Sequence, residues 1–161
     1  MVEFVKICGV KTMDELRLVE RYADATGVVV NSRSKRKVPL KTAAELIELA
    51  EIPIYLVSTM KTFPPEWVNA VEKTGGAEYI QVHSDMHPPK AVNRLKDEYG
   101  VSVMKAFMVP RESDDPGEDA ERLLELIGQY EVDRILLDTG GAGSGRRHDY
   151  RVSAIIAKEY R

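Results

Sequence analysis

Short apolar runs alternate along the whole chain with longer segments whose apolar residues recur at spacings of three and four. The runs are rich in β-branched residues and predict strands at Phe4–Cys8, Ala25–Val30, Ile52–Ser58, Tyr79–His83, Val101–Phe107 and Arg134–Asp138. Between them, Met13, Leu16, Val19 and Tyr22 form one helical stripe, and Ala120, Leu123, Leu124, Ile127 and Tyr130 form another. Helix starts are marked as well. Thr12 with Glu15, and Thr42 with Glu45, fit a capping box, in which hydroxyl and carboxylate satisfy each other's orphan backbone donors. Pro64-Pro65 and Pro88-Pro89 open two further helices, where a missing N–H costs nothing, and Gly100 suits a left-handed C-terminal cap.

A last apolar stretch, Val152 to Tyr160, reads as a sixth helix, so the chain is six βα units in a row. Strict βα alternation demands a parallel sheet with right-handed crossovers. Two architectures satisfy that count: part of a (β/α)₈ barrel of the TIM type, or a doubly wound open sheet. No linker, low-complexity tract or change of composition divides the chain, so residues 1–161 are expected to form a single domain.

Composition narrows the function. With 161 residues, 43% hydrophobic and 30% charged, the chain is that of a globular domain and not of a disordered or fibrous one. A formal charge of -3 gives no pull toward nucleic acid or an anionic membrane, and no run approaches the length of a membrane span. Met1 leads almost directly into the first strand, leaving no room for a signal peptide, and the single cysteine cannot form an internal disulfide. A cytoplasmic protein is expected.

In a parallel barrel the loops after the strands build the active site, so strand ends come first. Alternation puts Lys6 and Cys8 on one face of the first strand. Cys8 is either a small buried hydrophobe or a thiol at the barrel mouth, where the Lys6 ammonium two residues below favours the thiolate. After the second strand, Arg33, Lys35, Arg36 and Lys37 make a basic loop, either solvated or able to hold an anionic group. His83 and His87 have helical ligand spacing but end a strand and run into prolines, with no third ligand nearby. No metal site is expected, and His83 reads as a polar residue lining the barrel. Asp138 ends the sixth strand, as a turn cap or as an acid over the mouth. The glycine-rich loop that follows can approach a ligand closely or move as a lid. It is neither a Walker A loop nor a dinucleotide fingerprint.

Taken in order, these motifs resemble a known family. Val5-Lys6-Ile7-Cys8-Gly9-Val10 is similar to the opening of phosphoribosylanthranilate isomerases of tryptophan biosynthesis. Ala23-Asp24-Ala25 with Gly27, Ser34-Lys35-Arg36, Gln81-Val82-His83, Lys105-Ala106, Leu136-Leu137-Asp138 and Gly143-Ser144-Gly145 through Asp149-Tyr150 resemble its later motifs. His148, Tyr150 and Ser84 stand where the family usually has Phe, Trp and Gly.

The resemblance implies a (β/α)₈ barrel and an Amadori rearrangement that needs no cofactor. N-(5-phosphoribosyl)anthranilate becomes 1-(2-carboxyphenylamino)-1-deoxyribulose 5-phosphate. It further implies Asp138 as the general acid that opens the ribose and Cys8 as the general base at C2′. Arg36 would hold the anthranilate carboxylate, and Lys6, His83, Gly143 and Gly145 would contact the phosphorylated substrate.

The family has eight βα units and this chain carries six, so an incomplete barrel is expected. Its open strand edges would pair with another chain, and the loops that commonly bind phosphate would be lacking. Two other readings compete. One is the sister isomerase of histidine biosynthesis, which uses two aspartates and is disfavoured by Cys8. The other is a non-catalytic barrel fragment that binds a phosphorylated ligand or self-associates.

Overall fold

The computed structural model describes residues 3–59, 65–83, 87–139 and 145–160. Strands and helices alternate without exception: β1 (Lys6–Cys8), α1 (Met13–Val19), β2 (Ala25–Asn31), α2 (Leu40–Leu49), β3 (Ile54–Ser58), α3 (Pro65–Lys73), β4 (Tyr79–Val82), α4 (Pro89–Tyr99), β5 (Ser102–Val109), α5 (Pro116–Ile127), β6 (Arg134–Thr139) and α6 (Tyr150–Glu159). All six strands pair in parallel in the order β1-β2-β3-β4-β5-β6. A doubly wound sheet would reverse direction part-way and carry helices on both faces. Here the order never reverses, and the two faces differ.

One face meets the helices. Val28, Val30, Leu56, Ile80, Val82 and Val103 pack with Leu16, Leu46, Val92 and Leu95 in one cluster, while Phe107 and Val109 pack with Ala120, Ile127, Val152 and Ile156 in another. The opposite face gathers its own cluster of Ala25, Val29, Tyr55, Val57 and Met104, with Cys8 and Leu136 against it. Strand alternation produces this division: odd positions of β2, β3 and β4 point inward and even positions outward. The result is six consecutive staves of a barrel with helices outside. Truncating a fully buried outer residue such as Leu56 to Ala would cost about 2–5 kcal/mol, because the packed helices cannot collapse onto the void.

Local signals hold with three corrections. Thr12 caps α1 by accepting from the Glu15 N–H, but the Glu15 carboxylate accepts from the Lys11 N–H, not from Thr12 itself. Thr42 does not cap: α2 begins at Leu40 after Pro39, so Thr42 lies within its first turn. Val38 N–H bonds the Val29 carbonyl there, and the fixed φ of Pro39 starts the helix at once. Tyr22 lies beyond the end of α1 and is 65% exposed, so the buried stripe stops at Val19. Pro65 opens α3 while Pro64 lies outside the described residues; Pro89 opens α4, and Gly100 closes it at φ 62°. Strand bounds move by one or two residues, with His83 just past β4 and Thr139 added to β6.

Each of β1 and β6 has one strand neighbour among the described residues. Across the space between them the Arg134 guanidinium lies over the Phe4 ring, 4.0 Å from its centroid. This cation–π contact couples the base of the first strand to that of the last.

Candidate active site

The inward face encloses a cavity of about 690 Å³, within the range of small-molecule sites. Lys6, Cys8, Arg36, Gln81, His83 and Asp138 supply its polar groups, and Val29, Val57, Met104 and Leu136 its apolar wall. Five of the seven residues singled out from the sequence therefore meet in one space. Gly143 lies outside the described residues. Gly145 is exposed at φ 66° and is not among the residues that line the cavity.

Lys6 and Cys8 reach the cavity because β2 carries a glycine opposite them. Cys8 pairs with Gly27 in the β1–β2 register. A β-carbon at Gly27 would stand 2.8 Å from Cys8 Sγ and 3.0 Å from Lys6 Nζ. Both side chains thus occupy space that any other residue would fill. Burial lowers the pKa of Lys6, and the charge of Cys8 opposes that shift. The Lys6 ammonium also lies 5.3 Å from the centre of the Tyr55 ring and donates to Gln81 Oε1 at 2.6 Å.

The basic loop after β2 divides. Arg33, Lys35, Arg36 and Lys37 are all exposed to solvent, but of the four Arg36 alone also lines the cavity. Two serine turns fold the loop back: Ser32 Oγ accepts from the Ser34 N–H at 3.0 Å, and Ser34 Oγ from the Arg36 N–H at 3.1 Å. The Arg36 side chain then crosses Gly9, where a β-carbon would come within 2.7 Å of Arg36 Cδ, and donates to the Cys8 carbonyl at 3.4 Å. Gly9 has φ 101°, a conformation open to glycine at little cost. The Cys8-Gly9 pair thus seats the Arg36 side chain over Gly9, against the Cys8 carbonyl.

On the far wall, His83 Nε2 lies 2.9 Å from Asp138 Oδ2. His83 Nδ1 lies 3.2 Å from Gln81 Nε2. Gln81 belongs to the Gln81-Val82-His83 motif, yet nothing in the sequence marks it as a site residue by itself. The available signal was alternation: Tyr79, Gln81 and His83 share one face, and a polar residue between two apolar neighbours on an inward face needs a partner. His87 is buried, and its carbonyl accepts from the Tyr130 hydroxyl. Among the described residues no group of three His, Cys, Asp or Glu side chains is placed to hold a metal ion.

Beyond β6, His148 bridges Thr139 and Ser153, and Asp149 caps α6. The Asp149 carboxylate accepts from Arg151 and from the Ser113 N–H, tying the β5–α5 loop to α6. The Arg151 hydrogen bond holds its pKa well below the usual carboxylate range, against an opposing contribution from desolvation.

Comparison with known proteins places this geometry. The family model described as N-(5'-phosphoribosyl)anthranilate isomerase matches residues 5–160. The N-(5'-phosphoribosyl)anthranilate isomerase of Thermococcus kodakarensis is 94% identical over 160 residues, covering 99% of this chain and 75% of that relative. A solved structure of the phosphoribosyl anthranilate isomerase of the same organism superposes with a TM-score of 0.87 over 99% of this chain and 75% of its own. A more distant solved phosphoribosyl anthranilate isomerase, 26% identical with a TM-score of 0.67, covers 86% of this chain and 66% of its own. It was solved in complex with reduced 1-(o-carboxyphenylamino)-1-deoxyribulose 5-phosphate.

Proposed function

The chain belongs to the N-(5'-phosphoribosyl)anthranilate isomerase family, and on that premise we propose that its cavity performs the family's rearrangement with Asp138 as acid and Cys8 as base. The enzyme is an isomerase of tryptophan biosynthesis, interconverting an aminoaldose and an aminoketose. Opening the ribose ring needs a proton on the ring oxygen, and Asp138 presents a carboxyl at the end of β6. The resulting iminium acidifies the C2′ hydrogen, which Cys8 removes from the β1 side to give an enolamine. Tautomerisation then yields the ketone. Each positioned acid or base contributes roughly 10²–10⁴ in rate, about 3–5 kcal/mol of barrier.

Arg36 is the partner proposed for the anthranilate carboxylate. Its planar fork suits a carboxylate, and its place beside Cys8 sets the aromatic end of the substrate near the base. The product-like compound bound by the 26%-identical neighbour is the ligand proposed for this cavity. For the phosphate, Arg146 and Arg147 are exposed after β6, and the glycines before Gly145 lie outside the described residues.

The observation that carries the reading is the convergence of Cys8, Arg36 and Asp138 on one cavity from β1, the β2 loop and β6. A steady-state assay with phosphoribosylanthranilate formed in situ tests it. Turnover that disappears with Cys8→Ala and with Asp138→Asn is expected; turnover indifferent to both overturns it. The unpaired edges of β1 and β6 also support pairing between chains, which light scattering at several concentrations would reveal. The sister isomerase of histidine biosynthesis is set aside, since the family assignment and Cys8 both speak for the tryptophan enzyme.

A further inference from the structure

A continuous chain of hydrogen bonds crosses the floor of the cavity: Lys6 Nζ to Gln81 Oε1 at 2.6 Å, Gln81 Nε2 to His83 Nδ1 at 3.2 Å, His83 Nε2 to Asp138 Oδ2 at 2.9 Å. Its two ends sit beside the two groups that work on the substrate. The direction of each bond follows from one fact. An ammonium has three donors and no acceptor, so the Gln81 oxygen must face Lys6. The Gln81 amide nitrogen then faces His83, and because it too is only a donor, His83 Nδ1 must be the unprotonated acceptor. The imidazole hydrogen is left on Nε2, aimed at Asp138.

We propose that Lys6, Gln81 and His83 are positioning residues that hold His83 neutral in its Nε2–H form and thereby keep Asp138 able to carry a proton. This deepens the reading of Asp138 as the general acid and rests on it. An imidazolium at His83 would pair with a carboxylate and hold Asp138 ionised, which suits no proton donor. Protonating His83 requires a hydrogen on Nδ1, and there it would confront the Gln81 amide hydrogens. With Oδ2 occupied by the His83 N–H, the acidic hydrogen belongs on Oδ1, leaving that oxygen to serve the substrate. Gln81 is 2% exposed and His83 next to it is partly buried, so water does not readily replace either partner. The other titratable groups that line this space are Cys8, Arg36, Asp133, Arg134 and Tyr160.

The test reads the tautomer directly. The chain has three histidines, so ¹⁵N spectra of histidine-labelled protein are simple to assign with a His83→Gln variant. At neutral pH the unsubstituted protein should show His83 Nδ1 with the shift of an unprotonated nitrogen and Nε2 with that of an N–H. A protonated Nδ1, in either the neutral or the cationic ring, overturns the proposal.

Gln81→Glu places an acceptor between Lys6 and His83. It should convert His83 to the imidazolium, lower kcat by about tenfold or more and leave KM nearly unchanged. His83→Gln preserves the donor toward Asp138 and should lose at least about tenfold less kcat than His83→Leu. Equal losses in the two His83 variants overturn the proposal. The spectrum of the unsubstituted protein stands even if a Gln81 variant does not fold. An active Asp138→Asn variant would defeat the acid assignment, and this proposal with it, while leaving the tautomer as measured. An inactive one with the wrong His83 tautomer would defeat this proposal alone.

Discussion

A β-carbon on Gly27 would lie 2.8 Å from the sulfur of Cys8, closer than such atoms ever approach. The pair faces across the β1–β2 register, so neither backbone can move without disturbing ladder hydrogen bonds. It is the side chains that must yield. Gly27→Ala is therefore expected to swing Cys8 and Lys6 off their positions and cut kcat by about tenfold or more, since misplaced catalytic groups lose rate steeply. Kinetics paired with the rate of thiol alkylation checks this. An unchanged kcat with unchanged alkylation would mean that the strand pair opens to accommodate the methyl group.

The acid and base assignments predict that Cys8→Ala and Asp138→Asn each lower kcat by at least ~10², with little change in KM. Asp138 lines the cavity outside the apolar clusters and Cys8 packs, only partly buried, against the inward one, so either variant should keep the parental circular dichroism and melt at most a few degrees lower. A variant that keeps near-parental kcat removes that residue from its role.

Arg36→Lys should weaken binding of a product analogue that bears the aromatic carboxylate, and leave an analogue lacking it nearly unaffected. An ammonium cannot reproduce a bidentate fork. Titration calorimetry on the two analogues decides. Equal losses would assign Arg36 to another part of the ligand.

Asp149 links the β5–α5 loop to α6 and has a pKa depressed by Arg151. A carboxyl whose folded pKa is depressed stabilises the fold above its unfolded pKa, here 3.8, and that contribution fades as pH falls through the folded value. Asp149→Asn should thus melt a few degrees lower than the parent at neutral pH, with the gap narrowing in acid below about pH 4. Thermal melts across that range test the sign. A gap that stays constant with pH would show that the charge of Asp149 adds nothing to its cap.

Periodicity predicts the βα alternation, and capping residues mark several helix ends, because these depend on contacts within a few residues. The resemblance to a known family likewise points to Cys8, Arg36 and Asp138, and the fold brings all three to one cavity. Alternatives that turn on distant contacts stayed open. The same six βα units permit a singly or a doubly wound sheet, and only the pairing order and the one-sided placement of helices decide between them. Nor does the sequence reveal why, of four exposed basic residues, Arg36 lines the cavity and Arg33, Lys35 and Lys37 do not; that depends on two serine turns and the open space over Gly9. Gln81 gains its meaning only because Lys6, 75 residues earlier, presents a donor to it. Likewise His83 meets Asp138, 55 residues later, only when curvature of the sheet brings β4 and β6 across the cavity. A hydrogen bond has direction only once both partners are in place, and the chain brings these partners together by folding, not by sequence proximity.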